Sequence, residues 1–108
     1  MAAKDLFSLD PAPTFWADVP LSIPGRKEPH VIEVEFPHKD AEELDAWIKS
    51  NKDRDNLDVI ASIAKNWRGV DVPCTREALA KLLKNFPASG TDIYIAYMRE
   101  ERASKAKN

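Results

Sequence analysis

Apolar and polar residues alternate in the N-terminal part of the chain. Ile32, Val34 and Phe36 fall on one face of a predicted strand, with glutamates on the other face. Residues 19–24 alternate in the same way but contain two prolines, which are typical of an edge strand. Because turn-forming residues separate the two segments, we predict a β-hairpin over residues 19–38.

The segment before the hairpin, residues 1–18, is predicted to be an extended arm. Its two prolines exclude a long helix. Among its large apolar residues, Phe7, Leu9, Phe15 and Trp16 are expected to need a surface on which to bury.

From Asp40 onward, apolar residues recur every three or four positions, which predicts helices. Glu43 follows Asp40 by three residues, the pattern of a capping box at the start of a first helix. A second helix is predicted to begin near Asp53 or Asp55 and to end at Gly69, since glycine favours the residue after a helix.

Two further helices are predicted in the last third of the sequence. Pro73 and Thr75 precede the third helix, and Pro87 occupies the first position of the fourth, although Ser89-Gly90-Thr91 weakens its start. The helical part covers residues 40–104, and a frayed polar tail follows over residues 105–108. The predicted fold class is α+β, mainly α, with a bundle of about four short helices.

The apolar stripes of these helices define an expected core. Its members are Leu44, Trp47, Leu57, Ile60, Trp67, Leu79, Leu82, Leu83, Phe86, Ile93 and Tyr97.

The fourth helix carries apolar residues around most of its circumference between positions 93 and 98. A helix of this kind is either central or has a partner on its second face. Tyr94 and Met98 on this helix, together with Phe15 in the arm, are therefore the candidate residues for a partner interface.

Composition narrows the class of protein. A chain of 108 residues that is 44% hydrophobic and 31% charged suits a single globular domain over residues 1–108. Its 16 basic and 18 acidic residues give a net charge of −2 and are well mixed, so nothing favours a nucleic acid or an anionic membrane as partner. No segment reaches the roughly 20 apolar residues that span a bilayer, and a secretory signal is not expected.

Residues that could support catalysis or bind a metal ion are few. His30 and His38 are the two histidines, and without a nearby cysteine a zinc site would need distant ligands. Cys74 is the single cysteine, which agrees with a reducing cytoplasm, and its place before a helix could lower its pKa without making it a catalytic nucleophile. Three scattered glycines form no phosphate-binding pattern. We therefore expect neither an enzyme nor a cofactor.

Short motifs follow one another in a recognisable order. The sequence opens with Phe7-x-Leu9-x-Pro11-x-Pro13-Thr14-Phe15, then Val19 and Ile23-Pro24-Gly25. It continues with Phe36-x-His38-Lys39, Leu44-x-x-Trp47, Trp67-x-Gly69-Val70-Asp71-x-Pro73, Leu82-Leu83-x-Asn85-Phe86-Pro87, Tyr97 and Lys107-Asn108. This ordered set resembles the small tail assembly chaperones of long-tailed bacteriophages (siphophages), in their short form made without a frameshift.

The resemblance implies a non-enzymatic role in virion morphogenesis. Such chaperones are similar in binding the tape measure protein, a long helical protein that sets tail length, and in keeping it soluble while tail tube subunits polymerise around it. They act in the host cell cytoplasm and are absent from the mature virion. Many are also made in a longer form by a programmed ribosomal frameshift, whose extension is thought to recruit the tube protein. A homo-oligomer is expected as well, because many weakly bound copies gain by multivalency.

Two other interpretations remain open at this point. One is a structural or adaptor morphogenesis protein that is retained in the virion. The other is a small DNA-binding regulator, since residues 75–101 could form a helix-turn-helix. Its second helix would, however, offer Asp92, Tyr94 and Met98 to a DNA groove, with basic residues only at its far end.

Overall fold

Strands and helices make up most of the described chain. The computed structural model describes residues 6–102, so the first residues of the expected arm and the whole of the expected tail, residues 105–108, lie outside the described residues. The elements are β1 (Thr14–Leu21), β2 (His30–Pro37), α1 (Ala41–Ser50), a short 3-10 turn (Asn51–Asp53), α2 (Asn56–Ala61), β3 (Asn66–Arg68), α3 (Arg76–Asn85) and α4 (Ala88–Arg102). The predicted α+β, mainly helical fold class is confirmed.

The three strands form one antiparallel sheet in the order β1-β2-β3. β1 and β2 pair along their whole length, from Thr14 opposite Pro37 to Leu21 opposite His30. The hairpin therefore begins at Thr14 rather than at residue 19, and the arm is correspondingly shorter than predicted. Two adjacent aromatic residues after Thr14 obscured the alternation in the sequence.

Trp16 lies on the outer face of the sheet, away from the core, because its neighbour Ala17 points inward and is buried. The guanidinium carbon of Arg68 on β3 lies 3.8 Å from the centroid of the Trp16 ring. On the same outer face, Thr14 Oγ1 of β1 donates a 2.7 Å hydrogen bond to Glu35 Oε2 of β2. Trp16 is thus covered by a cation across the sheet rather than by the core.

Two arm residues that were expected to bury are exposed instead. Phe7 is 88% exposed and Leu9 is 86% exposed, and Leu6 beside them is 83% exposed. Residues 6–13 form neither helix nor strand. Within the described residues, no surface buries Phe7 or Leu9, so the chain itself does not provide the surface that the sequence predicts for them.

The second helix is shorter than predicted. It ends at Ala61, not near Gly69. The chain then turns, and Lys65 N donates a 2.9 Å hydrogen bond to a β2 carbonyl, which begins β3. Trp67 consequently lies in a strand opposite Val34 and not on a helix. A strand of three residues is too short for its alternation to be recognised in the sequence.

Side chains cap the first turns of α1, α2 and α3. Asp40 Oδ1 accepts a 2.8 Å hydrogen bond from Glu43 N, and Glu43 Oε1 accepts a 3.0 Å bond from Asp40 N. The predicted capping box is therefore confirmed. Asp55 and Thr75 each accept one bond from a backbone N–H three residues further on, which satisfies a donor that has no partner within the helix.

The core lies between the inner face of the sheet and the helices. Most of its expected members are buried, namely Leu44, Trp47, Ile60, Trp67, Leu79, Ile93 and Tyr97. Leu57, Leu82 and Leu83 are half-buried and pack against this core. The expected set omitted the sheet, which contributes the fully buried side chains Val19, Val34 and Phe36.

Phe86 was expected in the core but lies outside the core cluster, half-buried. It is the cap residue that follows α3, and its backbone is no longer helical (φ −132°, ψ 79°). The helical spacing that predicted its burial does not extend to this residue, so its ring lies at the edge of the domain.

The start of α4 packs closely against α2 and α3 at Gly90. A Cβ atom added there would lie 2.6 Å from Asn56 Nδ2 and 3.1 Å from Leu83 Cδ2. The glycine that is unfavourable for the helix in isolation thus lets the three helices approach closely, and a larger residue would need the Asn56 and Leu83 side chains to move.

Candidate partner-binding site

Both ends of α4 are held by hydrogen bonds to the sheet region. At its N-terminal end, Asp92 accepts bonds from Ser22 N (2.8 Å) and Ser22 Oγ (3.2 Å), just after β1. At its C-terminal end, Glu101, whose side chain is only 3% exposed, accepts a 2.8 Å bond from Lys39 N. The helix is therefore fixed across the sheet, and its outer face has a defined position.

The middle of α4 is fixed by Tyr97. Its ring is fully buried, and its hydroxyl donates a 2.8 Å hydrogen bond to Pro37 O. Burial, together with the negative charge of Glu101, holds the pKa of Tyr97 far above its usual value. The hydroxyl stays protonated at physiological pH and acts as a structural donor.

The outer face of α4 carries a short apolar stripe. Ile95 is 47% exposed, and Tyr94 and Met98 beside it are half-buried. A shallow cavity of about 390 Å³ is lined by these three residues together with Arg99 and Arg102. The stripe therefore combines an apolar centre with basic residues at one end.

Tyr94 and Met98 also pack inward. The Tyr94 ring stacks on Trp47 of α1, with ring centroids 5.6 Å apart and an interplanar angle of 22°. Met98 packs against the same core cluster. Ile95 is the most exposed of the three apolar residues, although sequence reasoning did not single it out. The available signal was the apolar character of α4 on all sides.

Phe15, the third predicted interface residue, is not brought to this stripe. Its ring lies 5.8 Å from Phe36 and stacks on Tyr97 at 6.3 Å between centroids. Phe15 thus lies on the inner face of β1, against the buried side of α4.

Another cavity, of about 510 Å³, lies beside the C-terminal end of α4 and has a mixed polar and apolar lining. Its lining includes His38 and Glu101, whose Nδ1 and Oε1 atoms are 3.3 Å apart. Among residues 6–102, no three histidine, cysteine or acidic side chains lie close enough to hold a metal ion. The His38 imidazole and the Glu101 carboxylate contact each other here, and this contact links α4 to the segment before α1.

Cys74 lies half-buried in the loop between β3 and α3. Its Sγ atom is 3.6 Å from Ala64 O, to which it donates a weak hydrogen bond. Burial raises the pKa of the Cys74 thiol, in contrast to the lowering that its place before a helix suggested. A raised pKa reduces the thiolate fraction, which is the opposite of what a nucleophile requires.

The sequence as a whole matches a known protein family. A family model described as phage tail assembly chaperone covers residues 1–108. The chain belongs to the phage tail assembly chaperone family. No match was found among curated proteins or among solved structures.

Family membership places the α4 stripe in a functional context. A tail assembly chaperone has tail proteins as its partners, and this points to an assembly role rather than to catalysis. Across residues 6–102, no helix is both long and apolar enough to cross a bilayer. An exposed apolar stripe on a firmly held helix is the kind of surface to which a protein partner binds.

Proposed function

We propose that this chaperone binds the tape measure protein through the outer face of α4 and keeps it soluble during tail assembly. The observation that carries the proposal is the stripe of Tyr94, Ile95 and Met98, flanked by Arg99 and Arg102. The proposed site of action is the host cell cytoplasm, and the protein is proposed to be absent from the mature virion.

The shape and charge of the stripe suit an amphipathic helix. The apolar side chains at positions 94, 95 and 98 lie along one side of α4, so a second helix packed alongside would cover all three. The arginines at positions 99 and 102 would face acidic residues of that partner helix. A long helical protein that otherwise exposes apolar faces would gain solubility from this cover.

The size of the stripe implies weak binding by each copy. Complete burial of an Ile or Met side chain contributes roughly 1.5–3 kcal/mol to the binding free energy. The entropy lost on association offsets much of this gain. Useful retention on the tape measure protein therefore requires several copies along its length, and so a homo-oligomer. Weak individual contacts also let arriving tube subunits displace each copy.

A longer, frameshifted form of this chain is part of the same proposal. The extension would follow α4, the last described helix, and would recruit tail tube protein to a tape measure protein that is already coated.

Co-expression with the tape measure protein tests the proposal. The wild-type chain should raise the soluble yield of that protein and co-purify with it. Ile95→Glu should abolish co-purification because it places a carboxylate in the apolar centre of the stripe. The new glutamate stands four residues before Arg99, so helix α4 should remain stable.

Val31→Glu is the matched control. Val31 is 52% exposed, close to the 47% of Ile95, and it lies on β2 and does not line the α4 cavity. It should bind as the wild type does. Equal loss in both variants, or co-purification of Ile95→Glu at the wild-type level, would contradict the assignment of the α4 face.

Mass spectrometry of purified virions tests the proposed absence of this chaperone from the mature particle. Abundant chain in mature particles would instead indicate a structural adaptor.

A further inference from the structure

Strand β1 has a neighbour on one side only. The strand order is β1-β2-β3, so within residues 6–102 no strand pairs with the other side of β1. His38 N donates a 2.8 Å hydrogen bond to Pro13 O, so Pro13 faces β2. Because successive residues of a strand direct their backbone groups to opposite sides, every second residue after Pro13 also faces β2. The residues that face the free edge are Thr14, Trp16, Asp18 and Pro20.

Most of this free edge has unpaired backbone groups. Pro20 has no N–H group, so it leaves no donor unpaired there, as is typical of an edge strand. Thr14, Trp16 and Asp18 each keep one N–H and one carbonyl that point away from β2. Outside the β1–β2 ladder, no backbone hydrogen bond among the described residues involves Trp16 or Asp18. A row of this kind can pair with one more strand.

The opposite edge of the sheet is closed by its own side chains. Trp67 lies opposite Val34, whose backbone groups face β1, so the Trp67 N–H points away from β2. Asn66 Oδ1 accepts a 2.9 Å hydrogen bond from this N–H, and the Trp67 indole donates a 2.7 Å bond to Val72 O in the following loop. The outward donor of β3 is therefore satisfied within the chain, whereas the outward donors of β1 are not.

The outer face of the sheet carries an unbalanced negative charge beside the free edge. Asp18 and Glu33 lie directly opposite each other, an unfavourable position for two like charges. Arg68 Nη1 lies 3.7 Å from Glu33 Oε1, and the same guanidinium covers the Trp16 ring. Asp18 is exposed and has no ion-pair partner in the described part of the chain. A lysine or arginine placed beside Asp18 would balance its charge.

The inner side of the free edge offers space for an apolar side chain. A cavity of about 200 Å³ lies there, lined by Pro20 of β1 and by Asp92, Ile95, Ala96 and Arg99 of α4. Ile95 is 47% exposed, so an apolar residue that enters this cavity would cover it.

We infer that β1 binds an extended segment of a partner polypeptide, which adds a fourth strand to the sheet along Thr14–Asp18. Its backbone pairs with the three outward residues, and its side chains alternate between basic on the outer face, beside Asp18, and apolar on the inner face, towards Ile95. Pro20 ends the pairing. This site goes beyond the proposed function, because it takes an extended segment rather than a helix and its affinity comes from the backbone of β1.

A short synthetic peptide in which valine and lysine alternate is the probe. Fluorescence anisotropy should show saturable binding of the labelled peptide to the full chain. Two control peptides carry the same charges and are N-methylated either at every lysine or at every valine. One set of amides faces β1 and the other faces solvent, so one control should bind about tenfold more weakly or worse and the other as the unmodified peptide does. No binding of the unmodified peptide, or equal binding of all three, overturns the inference.

Asp18→Pro tests the same edge from the side of the protein. It removes one outward N–H without touching the β1–β2 ladder, and Pro20 shows that a proline fits at such a position. Peptide binding should weaken by about tenfold or more. Asp18→Ala, which keeps the N–H but loses the charge, should weaken it less, and circular dichroism with thermal melting checks the fold of both variants. Equal affinity of Asp18→Pro and Asp18→Ala would contradict backbone pairing.

Hydrogen exchange measured by NMR locates the bound peptide on the wild-type chain. The amides of Trp16 and Asp18 should exchange rapidly in the free protein and slowly in the peptide complex. Those of Ala17 and Val19, which face β2, should be protected in both states. Rapid exchange of Trp16 and Asp18 in the peptide-saturated protein would show that the peptide binds elsewhere and would overturn the inference.

The two binding proposals can fail separately. The peptide measurements need no tape measure protein, and folded Asp18→Pro should still co-purify with that protein because the outer face of α4 is unchanged. Loss of this co-purification in Asp18→Pro would contradict the assignment of the free edge to a partner segment of its own.

Discussion

The two ends of the sheet contain similar apolar residues but are covered very differently. At the end where β1 begins, Phe36 and Tyr97 lie 5.0 Å apart between ring centroids, and Trp47 meets the edge of Tyr97 at 5.4 Å. Helices α1 and α4 both reach this closed end, and the contact of His38 with Glu101 links α4 to the residue that follows β2.

At the opposite, open end, α3 and a loop lie beside the sheet, and α4 reaches it only with its N-terminal turns, where Asp92 accepts hydrogen bonds from Ser22. Leu82 of α3 and Phe86, the cap residue after α3, are half-buried near this end, and a groove remains between them and the sheet. The difference teaches that residue type alone does not decide which apolar surface becomes core. How completely the helices cover the surface decides it, and at the open end a groove stays uncovered.

Matched phenylalanine substitutions give the largest expected contrast between the two ends. Phe36→Ala should destabilise the protein by about 3–5 kcal/mol, because it leaves a cavity in a fully buried aromatic cluster. Phe86→Ala should cost less than about 1.5 kcal/mol, because its ring is half-buried at the edge of the domain. Urea unfolding followed by tryptophan fluorescence measures both. Equal destabilisation by the two substitutions would remove the distinction between a closed and an open end.

The closed end was partly predictable from the sequence. The spacing of Leu44 and Trp47 predicted their burial, and the Asp40–Glu43 pattern predicted the start of α1, because both depend on local helical geometry. Trp67 was assigned to the wrong element, since its strand is defined by pairing with Val34, a residue distant in the chain. Long-range pairing of so short a strand leaves no periodic signal.

The candidate site was predictable to a similar extent. Tyr94 and Met98 were found because α4 is apolar on all sides. Ile95 could be recognised as their most exposed neighbour only once the packing of Tyr94 on Trp47 was known. The groove could not be predicted, because Leu21, Leu82 and Phe86 come together only through the tertiary fold.

A smaller loss of stability is expected when the hydroxyl of Tyr97, at the closed end, is removed. Tyr97→Phe keeps the ring but removes the hydroxyl that donates to Pro37 O. The loss should be about 1–3 kcal/mol because it leaves a carbonyl without this partner at the rim of the core. Differential scanning calorimetry measures it, with Tyr94→Phe on the half-buried side of α4 as the matched control. A change in Tyr97→Phe no larger than in the control would show that solvent replaces the lost donor.

Removing a helix cap is expected to destabilise the protein less than removing a buried ring. Asp40→Ala at the closed end should cost about 0.5–2 kcal/mol, because it removes one half of a reciprocal capping box. Thr75→Ala, at the start of α3, removes a single bond to Ala78 N and should fall in the lower part of that range. Denaturant midpoints at constant slope measure both, and a larger cost at Thr75 would indicate that α3 is the more important helix for stability.

The smallest expected change in stability comes from the contact between Asp58 and Arg76 at the start of α3, and it depends on pH. The Arg76 guanidinium donates a hydrogen bond to Asp58 Oδ1 of α2 and holds the pKa of that exposed carboxyl below its usual value. A carboxyl whose pKa is lowered by folding contributes stability above its unfolded pKa, about 3.9, and that contribution is lost as the pH falls through the folded pKa. Arg76→Gln should therefore lower the melting temperature slightly at pH 7, and the difference from wild type should shrink at pH 3. Because a positive charge at a helix N-terminus is itself unfavourable, the net change is small. In an Asp58→Asn background the Arg76→Gln effect should no longer depend on pH, and a dependence that persists there would assign it to another acidic group.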